Sequence, residues 1–327
     1  MTAQSTEAQN HFSRTIGRVA MIGLGAVGST TVFALLHAKI AQEILLVDDH
    51  NRRRAEGELL DLQHTLPFSG PANIHLASLD ETRHCDLVII TAGAAQSKDE
   101  TRLDLMKRNV EIFRTFFPRL SQQNPNALFV IVTNPVDIMT RVALELSGLP
   151  PEQVFGTGTV LDTARFRQNL STHLGVSSNN VHAYVIGEHG DSEVIVWSRV
   201  QIGPFTLQEY ADLKGKKLSP AVKQQMDEDV RRAAYQIIER KGSTHFAIGS
   251  GTTRLIETLS NDRHQLYTVS RQISLPGIPE GVCMSIPTEM GRKGALLPIA
   301  LKLSPIEEAE LQKSGNILDK AYQKLTV

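Results

Sequence analysis

Two groups of residues in this chain have the types and spacing to do chemistry. One is a glycine turn suited to phosphate; the other is a set of His, Asp and Arg residues suited to moving a proton beside an anion. Gly23-Leu24-Gly25-Ala26-Val27-Gly28 has the spacing G-x-G-x-x-G. The first glycine makes a tight turn, the second lets a pyrophosphate approach the backbone, and the third lets the following helix pack closely on the preceding strand. The helix start then offers free N–H groups and a positive dipole end to the phosphates. Asp48, at the end of the next apolar run, lies 20 residues after Gly28. An acid there bonds ribose hydroxyls and repels a 2′-phosphate, which favours NAD over NADP. Arg52-Arg53-Arg54 just beyond read as the solvated start of a helix, and also as a feature that would soften that bias. The plain alternative is a structural turn with a solvated Asp48.

The second group lies in four segments: TAGAAQSKDETR (91–102), VTNPVD (132–137), LDTARFR (161–167) and GEHGD (187–191). His189 is the residue type that carries a proton near neutral pH. Asp162 is an acid, and any carboxylate brought against an imidazole favours its charged form. Arg165 has the planar fork that grips a carboxylate through two parallel hydrogen bonds. Taken singly, each has an ordinary reading: a loop or core histidine, a surface ion pair for Arg165 and for Arg102 in its charged stretch, a turn-forming Asn134 before Pro135.

Such residues need elements to hold them. An apolar run starting at Val19 ends in the glycine cluster, and a helix reads from Ala26 to about Ile40. Further runs at Ile44–Val47, Leu87–Thr91 and Ala127–Val132 are short, β-branched and nearly continuous, the pattern of strands buried on both faces. Segments long enough for crossover helices separate them, which predicts a parallel α/β sheet. After the turn Gly156–Val160 the pattern changes. It predicts a helix from Leu161 to about Leu174, strand-like alternation over Val181–Ile186 and Glu193–Val200, long amphipathic stretches over 220–260, and a helix opened by a Ser304-Pro305-x-Glu307 capping box. There is no internal repeat. These shifts predict a flexible segment at 1–17, a dinucleotide-binding domain at 18–158 and a substrate domain at 159–327.

The 327 residues fit two domains. Lys plus Arg total 34 against 35 Asp plus Glu, a net charge of −1, so the chain lacks the basic excess of a general nucleic-acid or anionic-membrane binder. Two cysteines exclude a disulfide framework and a Cys-rich zinc module, and no metal site is expected. No run approaches ~18 uninterrupted apolar residues, and the first residues lack the apolar centre of a signal peptide, so the expected compartment is the cytoplasm.

In order and spacing, the glycine turn and the four segments resemble the lactate/malate dehydrogenase family, on its bacterial lactate-type branch, from about 18 to 325. The resemblance implies a Rossmann doubly wound parallel sheet followed by an α+β substrate domain, with NAD as cofactor. It implies that His189 is the proton donor, Asp162 its supporting carboxylate, Arg165 the clamp on the substrate carboxylate, and Arg102 a loop cation that polarises the ketone. It further implies that Asn134 and Thr244 touch the substrate. Gly23, Gly25, Ala26, Val27, Gly28, Asp48, Thr91, Ala92, Gly93, Val132, Asn134 and Ile248 would line the cofactor. Thr244 and Ile248 would also be ordinary helix residues.

Specificity in the family turns on one loop position, Arg in malate dehydrogenases and Gln in lactate dehydrogenases; here it is Gln96. A neutral amide leaves a second substrate carboxylate unpaired in a dehydrated pocket, and each tenfold of discrimination needs only ~1.4 kcal/mol. The implied reaction is therefore reduction of pyruvate to L-lactate, with malate or bulkier 2-hydroxy-acid oxidation as alternatives and Lys98 as a substitute cation if the loop register shifts. Ala95 departs from the Arg that many members carry there. Arg167 and His182 match the pair that binds fructose 1,6-bisphosphate at a subunit interface in the activated bacterial enzymes, which would imply a homo-oligomer, a tetramer or at least a dimer. A non-enzymatic NADH sensor would not need His189, Asp162, Arg165 and Arg102 together. A methyltransferase would not need Gly28 or the GEHGD segment.

Overall fold

The computed structural model describes residues 16–94 and 101–325. The first half runs β1 (Ile16–Ile22), α1 (Ala26–Ala38), β2 (Ala41–Val47), α2 (Arg52–Ser69), β3 (Asn73–Leu76), β4 (Leu87–Ile90), α3 (Arg102–Gln123), β5 (Leu128–Ile131), α4 (Val136–Ser147) and β6 (Val154–Gly156). The six strands are parallel and stand in the order β3-β2-β1-β4-β5-β6. That order reverses between β1 and β4, and ligands in open α/β sheets bind at the carboxyl ends of strands beside such a reversal.

The near-continuous apolar runs have a direct structural reason. Alternate residues face opposite sides of the sheet. Ala20, Ile22, Val88, Ile90, Phe129 and Ile131 belong to one core, and Val19, Met21, Leu87, Ile89 and Val130 to the other. With helices covering both faces, the later positions of β1 and β2 and all of β4 are apolar, and polar residues such as Arg18, Gln42 and Glu43 are confined to the strand starts. The register also sets the site. Ile22 stands level with Val47 and with Ile90, and Ile90 with Ile131. Gly23, Asp48, Thr91 and Val132 therefore leave the sheet along one edge.

The second half runs α5 (Val160–Leu174), β7 (Val181–His182), β8 (Val185–Ile186), β9 (Val194–Ile195), β10 (Gln201–Ile202), β11 (Phe205–Thr206), α6 (Leu207–Leu213), α7 (Pro220–Lys241), α8 (Phe246–Ser260), β12 (Gln265–Gln272), β13 (Cys283–Gly291), β14 (Gly294–Pro298) and α9 (Pro305–Gln323). Strands β12 to β14 are antiparallel and join the parallel sheet where Ser270 pairs with Gly156. The sheet thus crosses the change in sequence pattern near 156–160. A third core, around Phe166, Leu170, Val181, Ile195, Ile202 and Val230, lies wholly in this half.

Several expectations need correction. Helix α1 ends at Ala38 rather than Ile40, because Lys39 turns left-handed at φ 56°. The stretches 181–186 and 193–200 are not two continuous strands. The chain changes partner between β7, which pairs with β10, and β8, which pairs with β9. Beyond β9 it coils at Trp197–Arg199, where the Trp197 indole donates to Asp227 at 2.8 Å and meets Phe166 edge-on. The amphipathic stretch 220–260 is two helices parted at Gly242. Thr244 accordingly lies in the link between them, not in a helix. The Ser304 capping box is present, and Glu307 also reaches across to the backbone N–H of Ser198 at 2.9 Å.

Gly23 closes the β1–α1 turn at φ 96°, where a Cβ would lie 2.6 Å from the backbone nitrogen of Ala92. Positive φ costs a non-glycine residue ~1–3 kcal/mol and the clash adds ~1–3 kcal/mol. Gly23→Ala is expected to lower the thermal unfolding midpoint by about 5 °C or more in a melt followed by circular dichroism.

Candidate active site

At the glycine turn, β1 hands over to α1 without any side-chain cap: Gly25 is the N-cap and makes no side-chain bond. The first N–H groups of α1 therefore have no partner supplied from a capping side chain. A Cβ placed on Gly25 meets no atom of the described residues within 4 Å, while a Cβ on Gly28 would lie 2.1 Å from the carbonyl oxygen of Gly23. An open, uncapped helix start is what a pyrophosphate requires. Ala26 and Val27 begin the helix beside it. Asp48 takes the Leu24 N–H at 2.8 Å on Oδ2, which braces the turn, and the Asn51 N–H at 3.3 Å on Oδ1. Arg52 and Arg54 pair with Glu56 and Glu58 along α2, so two of the three arginines are engaged on their own helix. These features fit a dinucleotide with free ribose hydroxyls.

From the turn, an unbroken set of contacts runs along the sheet edge. Thr91 donates to the Gly23 carbonyl at 2.8 Å, and Thr133 to the Ala92 carbonyl at 2.7 Å. Gly93 lies so near Thr133 that a Cβ would sit 2.5 Å from its methyl carbon. Buried Asn109 on α3 then joins both sides: its amide oxygen takes the Ala94 N–H and its amide nitrogen donates to the Asn134 carbonyl, each at 2.8 Å. Val132 is buried just before, and the Asn134 side chain is exposed at the edge.

The histidine lies at the next step. Its backbone N–H donates to Asp137 Oδ2 at 2.7 Å, three residues beyond Asn134 on the first turn of α4. Its Nδ1 meets Asp162 Oδ2 at 2.6 Å, and the other oxygen of Asp162 takes Arg165 Nη1 at 2.7 Å. Asp162 is 3% exposed. Burial acts to raise its carboxyl, but the charge and hydrogen bond of His189, joined by those of Arg165, outweigh it and hold Asp162 below the usual carboxylate range. Burial likewise acts to lower the imidazole, and the Asp162 charge and bond, with the Asp137 charge, outweigh it and lift His189 to about 9. Glu193 itself is pushed up to about 8 by burial and by the Asp162 charge. It carries its proton at neutral pH, so Asp162 is the principal anion facing the imidazolium. With Nδ1 bound to Asp162, Nε2 is left to give the proton, beside an arginine able to hold an anion.

The loop carrying His189 is also held from behind. Ser314 on α9 accepts the Glu188 N–H at 2.9 Å and lies 3.0 Å from Ser192 Oγ. Arg102 is the first residue of α3, after a Thr101–Asp104 capping box. Gln96, with Ala95 and Lys98, lies outside the described residues. Thr244 precedes α8, and Ile248 on its first turn packs on the core that also holds the β1–α1 unit. Arg167 donates to the Ala183 carbonyl at 2.9 Å, which brings it beside exposed His182.

Asn109, Asp137, Glu193 and Ser314 were not singled out from the sequence. Asn109 had a signal: it interrupts an apolar stripe of Met106, Val110, Phe113, Phe117 and Leu120 on α3. A buried polar residue in such a stripe needs a partner.

Comparisons with known proteins agree with this geometry. The family model for the lactate/malate dehydrogenase NAD binding domain matches residues 17–156, and that for the family's alpha/beta C-terminal domain matches 159–326. The chain is 45% identical over 300 residues to an L-lactate dehydrogenase of Gloeobacter violaceus, covering 91% of this chain and 90% of that one. It is 42% identical to the L-lactate dehydrogenase of Thermus aquaticus, covering 94% and 99%. The minor L-lactate dehydrogenase of Enterococcus mundtii, solved with ligands bound, superposes with a TM-score of 0.89 at 33% identity, covering 95% and 99%.

The pairing of His189 with Asp162 is checked by acylating the histidine with diethyl pyrocarbonate and mapping the modified peptide across pH. Neutral imidazole is the reactive form, so the wild-type midpoint is expected near 9. In Asp162→Asn the opposing charge is gone and burial acts with little opposition, so the midpoint is expected to fall to ~6.5 or below.

Proposed function

Since the chain belongs to the lactate/malate dehydrogenase family, we propose that it reduces pyruvate to L-lactate with NADH, in a reaction that runs both ways. The observation that carries this reading is the single buried carboxylate of Asp162 holding a proton donor on one oxygen and a carboxylate-binding arginine on the other. The dinucleotide would lie along the sheet edge, its pyrophosphate on the turn Gly23 to Gly28, its ribose at Asp48, and its nicotinamide end by Thr91, Ala92, Gly93, Val132, Asn134 and Ile248. When bound in reduced form it supplies hydride to the carbonyl carbon.

The protein's own residues do the rest. The His189 Nε2–H gives its proton to the carbonyl oxygen as charge develops there, and Asp162 fixes the ring and stabilises the imidazolium. Arg165 binds the substrate carboxylate with donors not engaged by Asp162, which fixes the orientation of the ketone. Arg102 adds a cation against the ketone oxygen, with water expelled around it. Asn134 and Thr244 complete the substrate contacts. Gln96 sets the preference for a methyl group over a second carboxylate. The division of labour follows the two halves, with the dinucleotide on 18–158 and the proton donor and clamp on 159–327, in a cytoplasmic enzyme that closes fermentation. Among the described residues no helix is long and apolar enough to cross a membrane.

The reading extends to an effector. Arg167 and His182 lie on neighbouring elements, burial lowers the Arg167 guanidinium from its ordinary value, and among the described residues no carboxylate pairs with it to balance its charge. A phosphate of fructose 1,6-bisphosphate between copies of the chain would supply that balance, in a homotetramer.

NADH oxidation followed in parallel with pyruvate, oxaloacetate and branched 2-keto acids tests the substrate. Pyruvate is expected to have the highest kcat/KM; a higher value for oxaloacetate overturns Gln96 as the selector. In the same assay the bisphosphate is expected to lower half-saturation for pyruvate about fivefold or more. Arg167→Gln should abolish that shift, and an unchanged half-saturation in wild type removes the effector site.

A further inference from the structure

We propose that Asp137 is a positioning residue of the proton donor: its carboxylate fastens the main chain of His189 to the start of α4, and its negative charge favours the imidazolium. The inference rests on the reading of His189 as proton donor. Asp137 is 2% exposed, and its Oδ2 takes the His189 N–H at 2.7 Å across 52 residues of sequence. Its Oδ1 is buried without a hydrogen-bond partner among the described residues, and so is the hydroxyl of Ser270, the neighbouring side chain on β12. A half-satisfied buried carboxylate is an expensive choice for stability alone. Asparagine would fit better on that count. Its carbonyl could keep the His189 N–H while its NH2 donated to Ser270. Nor does the helix explain the acid. A first-turn acid acting only on the α4 dipole would face its own helix start, whereas Asp137 bonds to the catalytic loop.

The position explains what an anion does here. Asp137 follows Asn134 by three residues, and Asn134 is fixed to the loop root at Ala94 through Asn109. Fastening His189 to the same turn couples the height of the imidazole to the edge where the nicotinamide would lie. A proton donor misplaced by about 1 Å can lose ~100-fold in rate.

The charged and titratable groups around this pair come from several elements. His189 and Glu188 face Asp137 from the loop, Cys283 from β13, and Asp162 and Arg165 on α5, Glu193 by β9 and Arg231 on α7 complete the surroundings. Burial pushes Asp137 up to about 6, against the neighbouring Ser270 hydroxyl, the bond from the His189 N–H and the His189 charge. It is thus ionised at neutral pH. Cys283 is pushed well above the ordinary thiol range by burial first and by the Asp137 charge second, so it stays a neutral thiol and does not compete.

Two variants separate the hydrogen bond from the charge. Asp137→Asn keeps an acceptor for the His189 N–H and loses the charge. It is expected to keep kcat within about tenfold while the basic limb of the kcat/KM profile for pyruvate moves down by half a unit or more. Asp137→Ala loses both, and kcat is expected to fall at least tenfold further than in the asparagine variant. The mapped acylation midpoint of His189 should move down in Asp137→Asn to the same extent as the kinetic limb. That readout needs no turnover, so it decides the role of Asp137 even where the wild type reduces no 2-keto acid, a result that would count against the functional reading alone. It also decides if Asp137→Ala does not fold. An unmoved midpoint in Asp137→Asn, or equal losses of kcat in the two variants, overturns the proposal.

Discussion

A carboxylate that is 3% exposed has lost nearly all its hydration, and Asp162 keeps its charge because His189 and Arg165 each take one of its oxygens, at 2.6 and 2.7 Å. Removing either cation would leave one oxygen of a buried carboxylate without its partner, and removing both would leave a buried charge uncompensated, which is among the costliest defects in a folded protein. The rest of the second half can be understood as holding that carboxylate still. Asp162 lies on the first turn of α5, where the helix dipole favours an anion. The turn is fixed by threonines with no freedom to move. Thr159 donates to the Val185 carbonyl at 2.5 Å, Ser285 on β13 takes the Thr159 N–H at 3.0 Å, and Thr163 takes the Val185 N–H at 2.9 Å. Buried hydroxyls bonded to strand backbones on two sides position α5 more strictly than apolar packing, because a slip of one residue would leave every partner unsatisfied.

Those same strands carry the histidine. Gly187 pairs with Ser285 in both directions, at 2.8 and 2.9 Å, so the loop carrying His189 leaves from the strand that anchors α5. Asp162 and His189, 27 residues apart, are both referred to β13. The dinucleotide side is referred to the parallel sheet, and the two frames meet where Gly156 pairs with Ser270 and where Asp137 reaches the loop. The continuous sheet therefore gives the two halves one frame of reference, which a reaction between cofactor and proton donor requires.

What is legible in the sequence depends on the range of the interaction. The strands β1, β2, β4 and β5 follow from burial on both faces, and the glycine turn from its fixed spacing, since each is decided within a dozen residues. The Ser304 cap is legible for the same reason. Residues 181–200 mislead because alternation records burial but not partners: short strands that change neighbours have the pattern of one long strand until Trp197 and Asp227 come together. That β12 continues the parallel sheet escapes the reading because its pairing with β6 spans more than 100 residues, from Gly156 to Ser270. Asn109 and Asp137 are visible as polar residues in apolar surroundings, but their partners, at Ala94, Asn134 and His189, are set by the fold alone. Asp162 and His189 are readable as a pair only through the resemblance of whole segments, because nothing local joins positions so far apart.

The charges at the site also set the protonation state of His189. At neutral pH Asp162 and Asp137 are anions, His189 and Arg165 cations, and Glu193 is neutral, so the cluster is balanced before an anionic substrate arrives. A substrate carboxylate would add one negative charge to this balanced cluster. The raised value of His189 fixes what this balance favours. Its folded-state value lies above that of free imidazole, so the pair's contribution to stability is complete below ~6.5 and is lost as pH rises through about 9. Asp162, held low, contributes above its ordinary carboxylate value and loses that contribution as pH falls below it. Between those limits the folded state and the imidazolium favour each other. The imidazolium is the form that gives a proton to a ketone, while the neutral ring is the form that accepts one from an alcohol. The interaction that makes a buried Asp162 tolerable therefore also keeps His189, at neutral pH, in the form that the proposed proton transfer to a ketone requires.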